Sequence, residues 1–194
     1  MSIIDDVFTP LYGKPCWSVH LGLGTSLEFN FGDPHIEIRE PINPKNSYTA
    51  KVRRYLSRRE VQVQGSWRLW ISFCGWRFYN HEREIGTSIA SKRAVNRVIE
   101  LVDGQALIKV IVEETGVTTF QFDLGGLLET YPVIDPDDIP ETMDCWTLFE
   151  PSGKAFTLTK DVKYLYKSSK ALSRDSDYLP LYPKITQQYN QLSE

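Results

Sequence analysis

Leu27-Glu28-Phe29-Asn30-Phe31-Gly32-Asp33-Pro34-His35-Ile36-Glu37-Ile38-Arg39 and, further on, Val61-Gln62-Val63-Gln64-Gly65-Ser66-Trp67-Arg68-Leu69-Trp70-Ile71-Ser72-Phe73 decide how the chain reads. Leu27, Phe29 and Phe31 alternate with Glu28 and Asn30, Ile36 and Ile38 with Glu37 and Arg39, and Val61 and Val63 with Gln62 and Gln64. A period of two marks half-buried strands, because successive side chains leave a strand on opposite faces. The alternation resumes after Gly65, which places Trp67 in the core with Leu69, Ile71 and Phe73, and turns Trp70 the other way with Arg68 and Ser72.

Outward from this stretch, Val110, Val112, Phe120, Phe122 and Leu124 repeat the pattern. Gly22 and Gly24, Gly32 to Pro34, Gly116, Gly125-Gly126 and Pro151 to Gly153 punctuate the runs, and strands joined by such short turns pair antiparallel. Gly22-Leu23-Gly24-Thr25-Ser26 precedes a strand and not a helix, so it reads as a hairpin turn and not as a phosphate cradle. One segment departs from the period: Ala94, Val95, Val98, Ile99 and Val102 fall at helical spacing, with Ser88 or Ser91 to cap the start and Gly104 beyond the end. The expected fold is mainly β (α+β): an antiparallel β-sandwich or barrel-like roll built from related hairpins, with one amphipathic helix near 91–102.

The hairpins share a plan. After Trp17, apolar residues follow at Val19, Leu27 and Phe29 with a glycine at Gly24; after Trp146, the same offsets give Leu148, Phe156, Leu158 and Gly153. Phe120-Gln121-Phe122-Asp123-Leu124-Gly125 is a looser third copy, beside Leu27 to Gly32. A duplication and generic hairpin chemistry both account for this. Residues 1–160 are expected to form a single β-rich domain, and 161–194 a polar C-terminal arm or partly disordered tail; Pro41 to Ser57 reads as a loop that turns basic.

No apolar run approaches the roughly 18 residues that cross a bilayer, and the first ten residues carry Asp5 and Asp6 in place of Lys or Arg. Cys16, Cys74 and Cys145 are an odd set far apart in sequence, which fits reduced thiols in a cytoplasmic protein. Net charge is −3, unevenly spread: residues 101–150 hold 1 basic and 11 acidic side chains. Such asymmetry bears on partners and encounter rates, not on fold.

Three chemistries compete for the polar residues. Cys16 and His20, four apart on a strand, with Cys74 would make an enzyme or small-ligand site in a barrel mouth, but no C-x-x-C pair or nucleophile motif surrounds them. Lys51, Arg53, Arg54, Arg58 and Arg59 ahead of a tryptophan-rich strand fit phosphate contact, although an acidic chain with Trp67 turned inward argues against nucleic acid. Asp135, Asp137, Asp138, Glu141 and Asp144 form an acidic segment; Pro136 and Pro140 break any calcium-loop spacing, and the segment suits either a solvated connector or a docking surface for a basic protein. No catalytic residue, metal or cofactor is expected.

Gly13-Lys14-Pro15-Cys16-Trp17, Pro34-His35-Ile36-Glu37-Ile38-Arg39-Glu40-Pro41, Gly65-Ser66-Trp67-Arg68-Leu69-Trp70-Ile71, Phe122-Asp123-Leu124-Gly125 and Trp146-x-Leu148-x-x-Pro151-x-Gly153 carry a resemblance over residues 11–160. The chain resembles a widespread group of uncharacterised bacterial proteins, and its second half is similar in style to small β-rich immunity proteins found beside bacterial toxins. The resemblance implies a bacterial, cytoplasmic protein and transfers no activity. The resulting expectation is a non-enzymatic, immunity-like interaction module, with Asp135, Asp137, Asp138, Glu141, Asp144 and exposed Trp70 contacting a protein partner.

Overall fold

The long alternating run becomes one strand, not two. The computed structural model describes residues 2–22, 25–43, 49–133, 144–171 and 177–182. In it β1 (Cys16–Leu21) turns back into β2 (Leu27–Arg39), which runs straight through Gly32-Asp33-Pro34 and pairs along its whole length with β3 (Glu60–Ile71). Those three residues are therefore not a turn. They hold a bulge between the pairs Phe31–Trp67 and Pro34–Gly65, with Gly32 at φ +72°, where a side chain would meet the Ser66 hydroxyl. The extra residue switches the strand's parity, so that Ile36 and Ile38 keep the side held by Phe29 and Phe31. Pro34 is tolerated because β1 pairs with β2 only over Leu27–Phe31 and leaves this stretch at an edge.

Beyond these come α2 (Ala50–Leu56), β4 (Gly75–Asn80), β5 (Arg83–Thr87), α3 (Lys92–Val102), β6 (Leu107–Val112), β7 (Thr118–Phe122), β8 (Gly126–Tyr131), β9 (Asp144–Phe149), β10 (Lys154–Thr159), β11 (Lys163–Ser168) and β12 (Leu179–Pro180). Among the described residues they form two antiparallel sheets, ordered β1-β2-β3-β9-β10-β11-β12 and β5-β4-β8-β7-β6. The protein is an antiparallel β-sandwich: the sheets remain separate and do not close into a barrel. Helix α3 forms where the spacing placed it, capped by the Ser91 side chain on the Ala94 N–H, and buries Val95, Val98 and Val102 against the sandwich.

The N-terminus supplies a helix that alternation does not reveal. Ser2 and Asp5 form a reciprocal capping box for α1 (Ile3–Phe8), and Ile4, Val7 and Phe8 are buried. The Phe8 ring meets Trp146 edge-on at 5.6 Å and Phe120 at 6.1 Å, so α1 contributes an aromatic to the centre of the core. Trp146 is wholly buried and donates from Nε1 to the Thr118 hydroxyl at 3.0 Å, while its ring stacks on Phe156.

Several sequence expectations are corrected. Pro41 to Ser57 is not all loop, since Thr49 caps α2, a helix of seven residues and too short to show a clear period. The sheet continues past residue 160 through β11 and β12, and the Tyr182 hydroxyl donates to the Val112 carbonyl. Phe73 lies beyond the end of β3 and is 50 % exposed, and Leu124 sits at 62 % exposure between β7 and β8. The shared hairpin offsets do not become a shared register: Trp146 lies opposite Leu158, but Trp17 lies opposite Asn30 and not the equivalent Phe29. A bulge between Trp17 and His20, with Ser18 at φ +50°, makes the difference. Among the described residues no helix is long and apolar enough to cross a membrane.

Candidate interaction surface

β2 and β3 outrun their neighbours. β1 reaches only Phe31 and β9 pairs only with Arg68–Ile71, so Pro34–Arg39 and Glu60–Gly65 pair with each other alone among the described residues. The result is a two-stranded ribbon that leaves the sandwich. Opposed residues share a face, so Ile36–Val63 and Ile38–Val61 lie on one side while His35–Gln64, Glu37–Gln62 and Arg39–Glu60 lie on the other. On β3, Val61 and Val63 continue the row of Leu69 and Ile71, so the apolar side of the ribbon is the core face of the sheet carried past the point where the second sheet covers it. Ile36, Ile38, Val61 and Val63 are 66 %, 54 %, 60 % and 58 % exposed.

The polar side leaves His35, Glu37 and Gln62 exposed and ties Arg39 and Glu60 to α2 and to each other. Arg39 donates from Nε and Nη2 to Glu60 Oε2 at 3.2 and 3.0 Å and from Nη2 to the Tyr55 carbonyl at 3.0 Å, while its guanidinium lies 4.4 Å from the centre of the Tyr55 ring. These bonds hold α2 against the ribbon. The hydrogen bond with Tyr55 lowers the Glu60 carboxyl and raises the Tyr55 phenol. Arg68 spans the root of the ribbon: it donates to Gln64 Oε1 at 3.1 Å, lies 3.6 Å from Glu28 and stacks over Phe149. Between these groups is a notch of about 180 Å³ lined by Glu37, Arg39, Tyr55, Glu60, Gln62, Gln64 and Arg68.

Of the residues singled out from sequence, Trp70 is on the outer face of β3 between Glu28 and Thr147, 36 % exposed, on the side opposite the ribbon's apolar face. Asp144 opens β9, and its carbonyl accepts from the Ser72 hydroxyl at 3.0 Å; burial raises its carboxyl. Asp135, Asp137, Asp138 and Glu141 lie outside the described residues. In the basic cluster, Arg59 pairs with Glu40 at 2.9 Å.

Cys16, His20 and Cys74 are not brought together. The Cys16 thiol donates to the Val102 carbonyl at 3.0 Å, and burial, with Asp103 nearby, pushes it up to about 12. The Cys74 thiol donates to the Cys145 carbonyl, and its contact with Cys145 and burial raise it well above the ordinary thiol range. His20 is half-exposed, 3.8 Å from Glu28, because the bulge at Ser18 removes the common face that a regular strand would give it with Cys16. All three cysteines are free and buried, and no group of three His, Cys, Asp or Glu able to hold a metal occurs among the described residues.

A second concavity lies on the other sheet. It is an open depression of about 700 Å³ lined by Tyr79, His81, Glu82, Gln121, Leu127 and Glu129, among others. His81 and Glu82 form the two-residue turn between β4 and β5 at φ +48° and +66°, and the His81 ring packs over Gly125. Sequence reasoning passed over both this turn and the uncovered ribbon face. The first lacks the usual Asn-Gly signal, and the second alternates just as a covered strand does.

Fold and surface together define a β-sandwich with a projecting, one-sidedly apolar ribbon. No protein-family model, curated protein or solved structure matches the chain.

Proposed function

We propose that this protein is a non-enzymatic interaction module that holds a protein partner, with the ribbon as its main contact surface. The observation that carries this reading is the row Ile36, Ile38, Val61 and Val63, exposed at the end of a sheet face on which Leu27, Phe29, Phe31, Leu69 and Ile71 are buried. Four β-branched side chains at these exposures present on the order of 400 Å² of contiguous apolar surface, within the roughly 300–600 Å² of the largest patch on a typical monomer, which is often functional. Their stiff side chains lose little freedom on docking. In this reading the acidic segment Asp135, Asp137, Asp138, Glu141 and Asp144 attracts a basic partner and sets encounter rate, Trp70 adds an aromatic contact, and the setting is the bacterial cytoplasm, as for an immunity-like protein.

The test is capture from native lysate, read by mass spectrometry. Three baits are compared: the wild-type chain, Ile36→Thr/Val63→Thr, and a chain with Asp135, Asp137, Asp138 and Glu141 changed to Lys. A specific protein retained by the wild type and lost from the ribbon variant supports the module and its surface. Loss from the charge-reversed chain assigns the acidic segment its part. Identical captures from all three sink the proposal.

A further inference from the structure

Exposed sheet edges are closed in this fold wherever the sandwich proper ends. On the outer side of β1 the Cys16 N–H donates to the Gln105 carbonyl at 2.9 Å, the Cys16 carbonyl accepts from the Gly104 N–H at 2.8 Å, and the Val19 N–H donates to Asp103 Oδ1 at 3.1 Å. Along β6, Leu107 bonds with the backbone of Gly13 and Lys14, the Tyr12 hydroxyl accepts the Val110 N–H, and the Tyr182 hydroxyl donates to the Val112 carbonyl. β5 packs against α3, and β12 is only Leu179 and Pro180. An edge needs such closure because its unpaired backbone groups template another strand. The distal part of β3 has none among the described residues. Glu60–Gln64 lies past the last β9 pair, Arg68 with Phe149, and carries no proline, lysine or bulged residue. The outer edge of β2 at the same level starts from Pro34 and the bulge, which interrupt pairing there.

The direction of the backbone groups on this edge follows from two bonds. Ser72, just past the end of β3, donates its N–H to the Cys145 carbonyl on the β9 side at 2.9 Å, and Gly65 donates to Asn30 Oδ1 on the β2 side at 2.9 Å. In an antiparallel ladder the N–H and C=O of one residue point the same way and those of the next residue point oppositely. The bulge adds its extra residue to β2, so the alternation runs unbroken along β3. Val61 and Val63 are therefore spent on β2, opposite Ile38 and Ile36, while Glu60, Gln62 and Gln64 aim both backbone groups at the vacant side. We infer that a partner protein adds an extended segment to this edge as a further antiparallel strand, a conclusion that rests on reading the ribbon as the contact surface. A peptide backbone in extended form supplies donors and acceptors at the matching repeat of about 7 Å, two residues of strand. The added strand stands in line with β9, in the sheet position that the chain leaves when it turns at Pro151–Gly153. Its side chains alternate as those of the ribbon do. Residues beside Val61 and Val63 are apolar and β-branched and widen the exposed row; residues beside Gln62 and Gln64 are uncharged hydrogen-bonding ones. Glu60 is already paired with Arg39 at 3.0 Å, so the edge asks for no charge there.

Amide hydrogen exchange, read residue by residue by NMR, tests the edge in the free chain. The Gln62 and Gln64 amides are expected to exchange at least about 100-fold faster than those of Val61 and Val63, which the ladder holds. Equal protection of all four means that the edge is already covered and overturns the inference. Protection that appears only as the concentration is raised names a second copy as the occupant and overturns a separate partner. For that partner, Gln62→Pro and Gln62→Ala join the wild-type chain and Ile36→Thr/Val63→Thr as baits in the lysate capture. Proline at this position removes an outward N–H, breaks no bond to β2 and leaves the apolar row intact, whereas alanine removes the same side chain and keeps the N–H. A protein held by the wild type and by Gln62→Ala, and reduced at least tenfold on Gln62→Pro, is the expected result. If Gln62→Pro loses its circular dichroism spectrum, exchange in the wild-type complex decides: the Gln62 and Gln64 amides become protected on binding, or the inference falls. Retention by Gln62→Pro with loss from the threonine variant overturns strand addition and leaves the interaction reading standing; a wild type that captures nothing specific removes both.

Discussion

The buried carboxamide of Asn30 accepts the Gly65 backbone N–H at 2.9 Å, at the step where the sheet narrows from sandwich to ribbon. The bond sits beside the bulge between Phe31 and Pro34, where the regular ladder is interrupted, and it satisfies an N–H that has no water to turn to.

Asn30→Leu is expected to leave that N–H unpaired and to lower stability by about 1–3 kcal/mol in urea unfolding. Gly65→Ala is expected to act at the same place by a different route. Its Cβ would lie 2.5 Å from the Phe31 carbonyl oxygen and 2.9 Å from that of Trp67, so the ladder must shift, at about 1–3 kcal/mol. If both variants unfold at the wild-type urea midpoint, the ribbon root is not held as described.

Phe8 and Trp146 are expected to be energetically coupled. Either residue changed to alanine removes a fully buried ring and should cost about 3–5 kcal/mol. A double-mutant cycle through the 5.6 Å edge-on contact should return a coupling of about 0.5–1.5 kcal/mol. Additive losses would mean that α1 merely covers the core.

The thiols should be inert in the folded state. With Cys16 at about 12, its thiolate fraction at pH 8 is more than about 1,000-fold below that of an exposed cysteine, and burial blocks access as well. Titration with a chromogenic disulfide is expected to release all three thiols only at the rate of unfolding. Rapid modification of any cysteine in the native chain contradicts this packing.

Asp144 gives a pH-dependent signature. Burial raises its carboxyl in the folded chain, so folding favours the protonated form. That contribution is complete at pH values below the unfolded carboxylate range and is lost as pH rises through the raised folded value. Asp144→Asn should therefore melt higher than wild type at pH 7, and the two curves should converge under acid. A variant that is less stable at pH 7 would assign the carboxylate a favourable native interaction.

The architecture was legible in the sequence because binary patterning is local. Leu27 to Ile38, Val61 to Ile71, Val110 to Phe122 and Trp146 to Leu158 announce strands from neighbours two residues apart, and Ala94 to Val102 announce a helix by spacing of three and four. The burial of the cysteines follows from residue type. What the local pattern cannot carry is what lies over a face. Ile36 and Val63 alternate in the same way as Phe29 and Leu69, yet the first pair is exposed and the second buried, because covering depends on how far the second sheet reaches. The bulges at Ser18 and Asp33, which separate Cys16 from His20 and carry Ile36 onto the core side, add single residues that a fixed period misplaces. The sequence by itself determined strands, helix α3 and the kind of residue in the core; only the tertiary structure decided which apolar face was left uncovered, because exposure is a property of two surfaces and a sequence pattern describes one.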